Sequence, residues 1–302
     1  MLAALRRSGF RVTAVVLRDR HDAAARLREL RAPLVLVDTI AASFAAPHLA
    51  RLRARGSKVV TLALMSQGAM ALSRRSDRVI AVSRALADEL VAGGIDRRGI
   101  VVVTPGRDRI AERPARSANG RVLCVANWTP GKGVHTLVAA VARVPEASLD
   151  LVGDTPDPAY AARVRRLIAA RGLAQRVRVH GSLGRTALER RYAAASIFAL
   201  PTIREGYPIA FVEALAHGLP IVGCDIPAVR EVTAGAAILV PPGRVAPLAA
   251  ALKRLASDDR ARRALAGRSA RRARKLPTWA ESEARFIRAV AVTPNKSRAA
   301  VP

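Results

Sequence analysis

Short runs of β-branched and aliphatic residues, each closed by a turn and followed by an Ala/Leu/Arg stretch of helical period, repeat along this chain. That alternation marks parallel strands joined by crossover helices, so the pattern predicts an α/β protein. In the first part it predicts strands at Arg11–Val16, Leu34–Asp38, Lys58–Leu62, Arg78–Val82 and Ile100–Thr104. Ser83 stands where an N-cap belongs ahead of the amphipathic stretch Arg84–Ala92, and Gly93-Gly94 stands where that helix should end. Residues 112–120 are polar, carry Pro and Gly, and fit neither period, which predicts a domain boundary. A second set of strands is predicted at Arg121–Ala126, Ser148–Val152, Arg176–His180, Ile197–Ala199, Pro220–Gly223 and Ala237–Val240, followed by helices to about Val292. The expected organisation is a first domain over 1–112, a second over 113–276, a closing helix over 277–292 that packs back across the molecule, and a disordered tail over 293–302.

The first domain opens unusually. A doubly wound domain begins with a buried strand and a Gly-rich turn before its first helix, yet this chain starts in the helix-like stretch Leu2–Arg7. The expectation is a Rossmann-like domain lacking its first strand and Gly-rich turn. A start assigned too late, a trimmed fragment, or a domain that does without the strand would each produce this.

Composition narrows the chemistry. Cys124 and Cys224 each lie inside an apolar run and are read as strand core, with no disulfide framework. The five histidines are scattered, none at the i, i+4 spacing that places two imidazoles on one metal, so no metal site is expected. No apolar stretch approaches the ~18–20 residues of a bilayer-spanning helix, and Met1 opens no leader-like segment, which gives a cytoplasmic expectation. The net charge is +28, densest over Arg260–Lys275 with eight basic and no acidic residues. That block is a solvated helix face, a surface for nucleic-acid phosphates, or a surface for an anionic leaflet, the last of which would put the protein on the inner membrane face. Aromatic residues make up 3% of the chain, too few for the base-stacking platforms of single-stranded nucleic acid, and no nucleic-acid partner is expected.

The most informative stretch is Arg204-Glu205-Gly206-Tyr207-Pro208-Ile209-Ala210-Phe211-Val212-Glu213, a loop after a strand that opens a helix. Such a loop presents unpaired backbone N–H groups and the positive end of a helix dipole, which suit a phosphate. Gly206 permits close backbone approach, and Pro208 fits a first helical turn. Glu205 precedes the helix, and Glu213 follows about one and a half turns into it, where a ribose would lie beside bound phosphates. Upstream, Asn127-Trp128-Thr129-Pro130-Gly131-Lys132-Gly133 forms a second strand-to-helix turn, with one lysine able to act as a point charge on a diphosphate.

In these two motifs the chain resembles the retaining family 4 glycosyltransferases of the GT-B fold (glycosyl transferases group 1), which carry two glutamates separated by seven residues in this setting. The resemblance implies two Rossmann-like domains, with Glu205 contacting the donor sugar as the catalytic residue and Glu213 contacting the donor ribose. It implies that Lys132 holds the donor diphosphate, with Gly206, Tyr207 and Pro208 beside it. Asn127 stands where many relatives carry arginine, which puts donor affinity or donor choice in doubt. Val179-His180-Gly181-Ser182-Leu183 lies where relatives hold the nucleobase, so Gly181 and Leu183 are assigned to the base. Trp279 and Phe286 match the closing helix and are read as core. Relatives often carry a histidine in the first domain that helps position the reacting sugar, but Leu62–Gly68 contains none, and Gln67 is the available substitute.

The expected function is transfer of a hexose-like sugar, with retained configuration, from a UDP- or GDP-sugar to an acceptor hydroxyl in the cleft between the two domains. No cofactor is expected. The acceptor is left open, a lipid-linked or envelope glycan being compatible with the basic surface. The alternative is a catalytically impaired sugar-nucleotide-binding protein of the same fold, favoured by the missing strand and histidine.

Overall fold

The computed structural model describes residues 2–108 and 120–291. The predicted boundary segment before Gly120 and the predicted tail over 293–302 lie outside the described residues. The chain divides into two compact units, one running to Gly106 and resuming at Pro277, the other Arg107–Leu276.

In the first unit the helices are α1 Leu2–Arg7, α2 Arg20–Glu29, α3 Ala42–Ala45, α4 Leu49–Ala54, α5 Ala69–Ser73 and α6 Arg84–Ala92. They surround a parallel sheet of β1 Leu34–Asp38, β2 Lys58–Ala63, β3 Arg78–Ala81 and β4 Ile100–Val102 in the order β1-β2-β3-β4. The capping prediction at α6 holds in detail: the Leu86 N–H donates to the Ser83 hydroxyl at 3.0 Å, and the helix ends at Gly93, followed by Gly94 at φ 91°. The predicted strand Arg11–Val16 does not form. Its β-branched composition gives it strand propensity, but a strand needs a neighbour to bond, and no β ladder takes this segment as partner. Val16 is left 73% exposed.

The second unit holds β5 Arg121–Val125, β6 Ser148–Val152, β7 Val177–Gly181, β8 Ile197–Leu200, β9 Ile221–Cys224 and β10 Ile238–Val240, all parallel, in the order β10-β9-β8-β5-β6-β7. Its helices are α7 Val134–Val141, α8 Pro158–Ala170, α9 Arg185–Ala194, α10 Ile209–Ala216, α11 Pro227–Thr233, α12 Val245–Ser257 and α13 Asp259–Ala273. The central strands are buried along nearly their whole length, as a parallel sheet covered on both faces requires. Trp128, Phe198, Phe211 and Leu137 are among the residues that fill this core.

The last described helix, α14 Trp279–Ala291, belongs to the first unit. Phe286, Ala289 and Val290 join the cluster of Val60, Ile80 and Val103, the Ser282 hydroxyl donates to the Thr104 carbonyl at 2.7 Å, and Gly106 lies so close that a Cβ there would stand 2.2 Å from the Thr278 carbonyl oxygen. Phe286 is core as read, but Trp279 is 41% exposed and is not. It shares the helical face of Phe286, seven positions on, but it is the first residue of α14, and that terminal position leaves the indole partly at the surface.

Arg260–Lys275 also divides. Arg262 is buried and donates to the Leu255 carbonyl at 2.9 Å, and Arg272 donates to the Val232 and Glu231 carbonyls at 2.7 and 2.9 Å, binding α13 to the end of α11. These two guanidiniums serve the fold, while Arg260, Arg263, Arg268, Arg271, Arg274 and Lys275 are exposed. No helix among the described residues is long and apolar enough to cross a membrane.

Candidate active site

Strand order in the second unit decides where its chemistry collects. From β5 the chain passes through α7 to β6 on one side, while β8 pairs with β5 on the other. The carboxyl ends of β5 and β8 therefore flank a topological switch point, where crossover helices diverge and open α/β sheets leave a crevice. The turn carrying Asn127–Gly133 follows β5, and the loop carrying Glu205–Pro208 follows β8.

Backbone contacts bind these two loops together. The Ile203 N–H donates to the Gly131 carbonyl at 2.9 Å, and the buried Thr202 hydroxyl lies 3.2 Å from the same oxygen and 3.1 Å from the Arg204 carbonyl. Gly133, at φ 67°, sits against Pro201, where a Cβ would come within 2.4 Å of the Pro201 carbonyl oxygen. As a result Lys132 Nζ donates to Glu205 Oε1 at 2.6 Å, with Glu205 retaining only 9% of its side-chain exposure. Two side chains 73 positions apart thus form one ion pair above the switch point. Replacing Thr202 by Val removes the hydroxyl and keeps the shape. Urea unfolding is expected to show a loss of about 1–2 kcal/mol, the cost of leaving a buried acceptor short of a donor.

Glu213 lies on α10, partly exposed, and its Oε2 accepts the Tyr192 hydroxyl at 2.8 Å. Helix α10 begins at Ile209, so Pro208 is its N-cap rather than a first-turn residue, and its carbonyl accepts the Phe211 N–H at 3.0 Å. Gly206 is buried in the loop. Tyr207 turns its phenol into the core, and burial raises its pKa against the opposing pull of Arg272. The Tyr207 side chain therefore packs the unit, leaving only its backbone at the loop.

Asn127 is exposed, and its side-chain carbonyl accepts the Asp154 N–H at 3.2 Å, tying the β5 turn to the end of β6. Gly153 fixes the same junction: at φ 143°, a Cβ there would stand 1.9 Å from the Ala126 carbonyl oxygen. Gly181 accepts the Gly153 N–H at 2.9 Å, and Leu183 packs against the core beyond it. His180 Nε2 lies 2.7 Å from the buried Asp150 carboxylate, anchoring the strand that leads into this turn. The structure thus brings Lys132 and Glu205 into contact, while Asn127 follows β5, and Gly181, the last residue of β7, and Leu183 lie on the far side of β6. A groove of about 420 Å³ in this unit, lined by His135, Arg163, Arg166 and Val245 among others, contains none of these residues.

Sequence reading missed Thr202, which couples the loops, and Tyr192, which holds Glu213. A buried hydroxyl in a loop has no periodic signature. Tyr192 precedes its partner by 21 positions, with only the fold to join them.

A protein of two Rossmann-like α/β units, with a cation and a carboxylate paired at the switch point of one of them, has the architecture of the GT-B glycosyltransferases. Residues 119–258, which lie within the second unit, match the sequence pattern of the family described as "Glycosyl transferases group 1". It is 29% identical over 225 residues to an "MMP alpha-(1->4)-mannosyltransferase" of Mycolicibacterium hassiacum, the match covering 72% of this chain and 54% of that protein. It is 34% identical over 127 residues to a "GDP-mannose-dependent alpha-(1-6)-phosphatidylinositol monomannoside mannosyltransferase" of Mycobacterium tuberculosis, covering 38% of this chain and 31% of that protein. These matches span about half or less of the relatives' length. Anabaena Alr3699/HepE, solved in complex with UDP and glucose, shares the fold with a TM-score of 0.76 at 18% identity, over 90% of this chain and 81% of that one.

Proposed function

We propose that this chain transfers a hexose from a nucleoside diphosphate sugar to an acceptor hydroxyl with retention of configuration. The observation that carries the reading is the Lys132–Glu205 pair at the switch point between β5 and β8. Lys132 and Glu205 neutralise each other in their ion pair. A donor diphosphate would take Lys132 as its counterion and release Glu205 to accept hydrogen bonds from the sugar hydroxyls. As the bond from the anomeric carbon to phosphate breaks, negative charge grows on the diphosphate, where Lys132 and the first turn of α10 stand ready to stabilise it. Gly181 and Leu183 would border the base and Glu213 the ribose.

The mannosyltransferase relatives support a mannose-type hexose, the GDP-mannose dependence of one favours a guanine donor, and the UDP-bound Anabaena structure keeps uracil in consideration. The exposed cations of α13 support an acceptor presented at an anionic membrane surface, a lipid-linked or envelope glycan on the cytoplasmic side. The test is to incubate the protein with GDP-mannose and UDP-glucose and a panel of lipid-linked and inositol acceptors, following nucleoside diphosphate release and the anomeric proton by NMR. An axial product from an axial donor is expected, and an inverted product would overturn the stereochemical part of the proposal. Lys132→Ala should weaken nucleoside diphosphate binding by about tenfold to hundredfold, the range for losing a charge-assisted contact, measured by calorimetry.

A further inference from the structure

Beneath α10 lies a chain of polar side chains that the transfer reaction does not itself require. Tyr192, on α9, is 1% exposed, and its hydroxyl donates to Glu213 Oε2 at 2.8 Å, with the Ala210 carbonyl more distant at 3.4 Å. Its ring has little freedom. His217 stacks on one neighbouring position with centroids 5.1 Å apart and planes 10° apart, and Phe198 stacks at 6.1 Å and 25°. His217 is itself held, its Nε2 lying 2.7 Å from Glu189 Oε2, and Arg107 donates to Glu189 Oε1 at 2.8 Å. Burial pushes the Glu189 carboxyl up, but Arg107 and His217 outweigh it and hold the group below its ordinary value. Burial, then the neighbouring Glu213 charge, pushes the Tyr192 phenol well above its ordinary value, so it remains a proton donor.

A core that only needed filling would not require this arrangement. A carboxylate on a helix surface samples several rotamers, and each must be given up when a ligand is bound. With Oε2 fixed by a buried phenol, the Glu213 carboxylate is held in one orientation, leaving Oε1 to accept from a ligand. We propose that Tyr192 is a positioning residue that orients Glu213 toward the vicinal hydroxyls of a donor ribose, and so sets this site's preference for ribonucleotides. The inference rests on the assignment of Glu213 to the donor ribose. It adds a residue that makes no contact with the donor yet determines how tightly the ribose is read.

The test compares UDP and GDP with their 2′,3′-dideoxy forms by calorimetry, on the full chain and on Tyr192→Phe, Glu213→Ala and the double variant. The unaltered chain should prefer the ribose form by about tenfold to hundredfold, the range for hydrogen bonds to a charged acceptor. Tyr192→Phe, which keeps the ring and its stacking, should lose most of that preference while binding the dideoxy form unchanged. The double variant should match Glu213→Ala, because the phenol acts only through the carboxylate. If the unaltered chain and Glu213→Ala show the same ratio, the ribose assignment itself falls. If Glu213→Ala abolishes the preference and Tyr192→Phe retains it in full, the ribose assignment stands and the positioning role is overturned. A lower melting temperature in Tyr192→Phe with an unaltered ratio also overturns it, because that is the signature of packing alone.

Discussion

Glu205→Ala is expected to lower sugar transfer by about 10³-fold while leaving nucleoside diphosphate binding intact or tighter. The size follows from the kind of interaction lost: a preorganised polar group aimed at the reacting centre in a site shielded from water contributes about 10²–10³-fold, and more when it also orients the substrate. The direction of the binding change follows from the ion pair. Lys132 is paired with Glu205 at 2.6 Å, and a diphosphate taking Lys132 as counterion would displace that carboxylate. Without the carboxylate the lysine meets the diphosphate uncompensated. A Glu205→Gln variant separates charge from hydrogen bonding, since it keeps the side-chain shape and removes the ion pair. Turnover assays with calorimetry on the same samples check both halves. Transfer at the unaltered rate in Glu205→Ala would remove the catalytic assignment, and a collapse of nucleotide binding would mean that the carboxylate builds the site instead of acting in it.

Gly153→Ala is expected to give the largest loss of stability among single methyl additions at this site. Its backbone, at φ 143°, is a conformation that L-residues rarely adopt, and the new Cβ would stand 1.9 Å from the Ala126 carbonyl oxygen and 3.1 Å from the Asn127 nitrogen. Every atom it meets there is backbone, so no side chain can rotate away. Strain of about 1–3 kcal/mol from the dihedral adds to about 1–3 kcal/mol for overpacking, a large share of a typical domain's stability. At roughly 2–4 °C per kcal/mol the second unit should melt about 10 °C lower. The emission of Trp128, buried in that unit, reports the transition, and an unchanged midpoint would contradict the account. Because the strain falls on the root of the turn that carries Lys132, nucleotide affinity should fall with stability. Gly172→Ala is the control. It has φ 62° but open space around the Cβ, so it carries the dihedral cost without the clash.

The alternation of β-branched runs with Ala/Leu/Arg stretches located the strands of the second unit to within about two residues, because each run there is bounded by Gly or Pro and all but β7, with its Arg178 and His180, are predominantly apolar. The same reasoning failed at Arg11–Val16. Composition encodes the propensity of a segment, whereas a strand exists only where another strand offers it hydrogen bonds, and that depends on residues far along the chain. Trp279 failed for a related reason: its size and its spacing from Phe286 mark it as core, but it is the first residue of α14, at the end of the packed stripe, and stays 41% exposed. The Glu205 and Glu213 spacing and the Pro-Gly-Lys-Gly turn were legible because each is a local motif in a strand-to-helix setting. Their meeting was not, since it depends on β5 and β8 being neighbours in a sheet whose strands are not in chain order. The basic block over 260–275 was legible as charge. The structural use of Arg262 and Arg272 was not, because capturing backbone carbonyls leaves no trace in composition.

The proposed nucleoside diphosphate sugar site stands at the switch point of the second unit and is built on Lys132 and Glu205. Calorimetric titration of the purified chain with UDP, GDP and ADP, repeated on Lys132→Ala, tests it most directly. Saturable one-to-one binding of at least one of these nucleotides is expected, weakened about tenfold or more by the substitution. Binding of equal strength in Lys132→Ala, or no binding of any of the three to the unaltered chain, would contradict it.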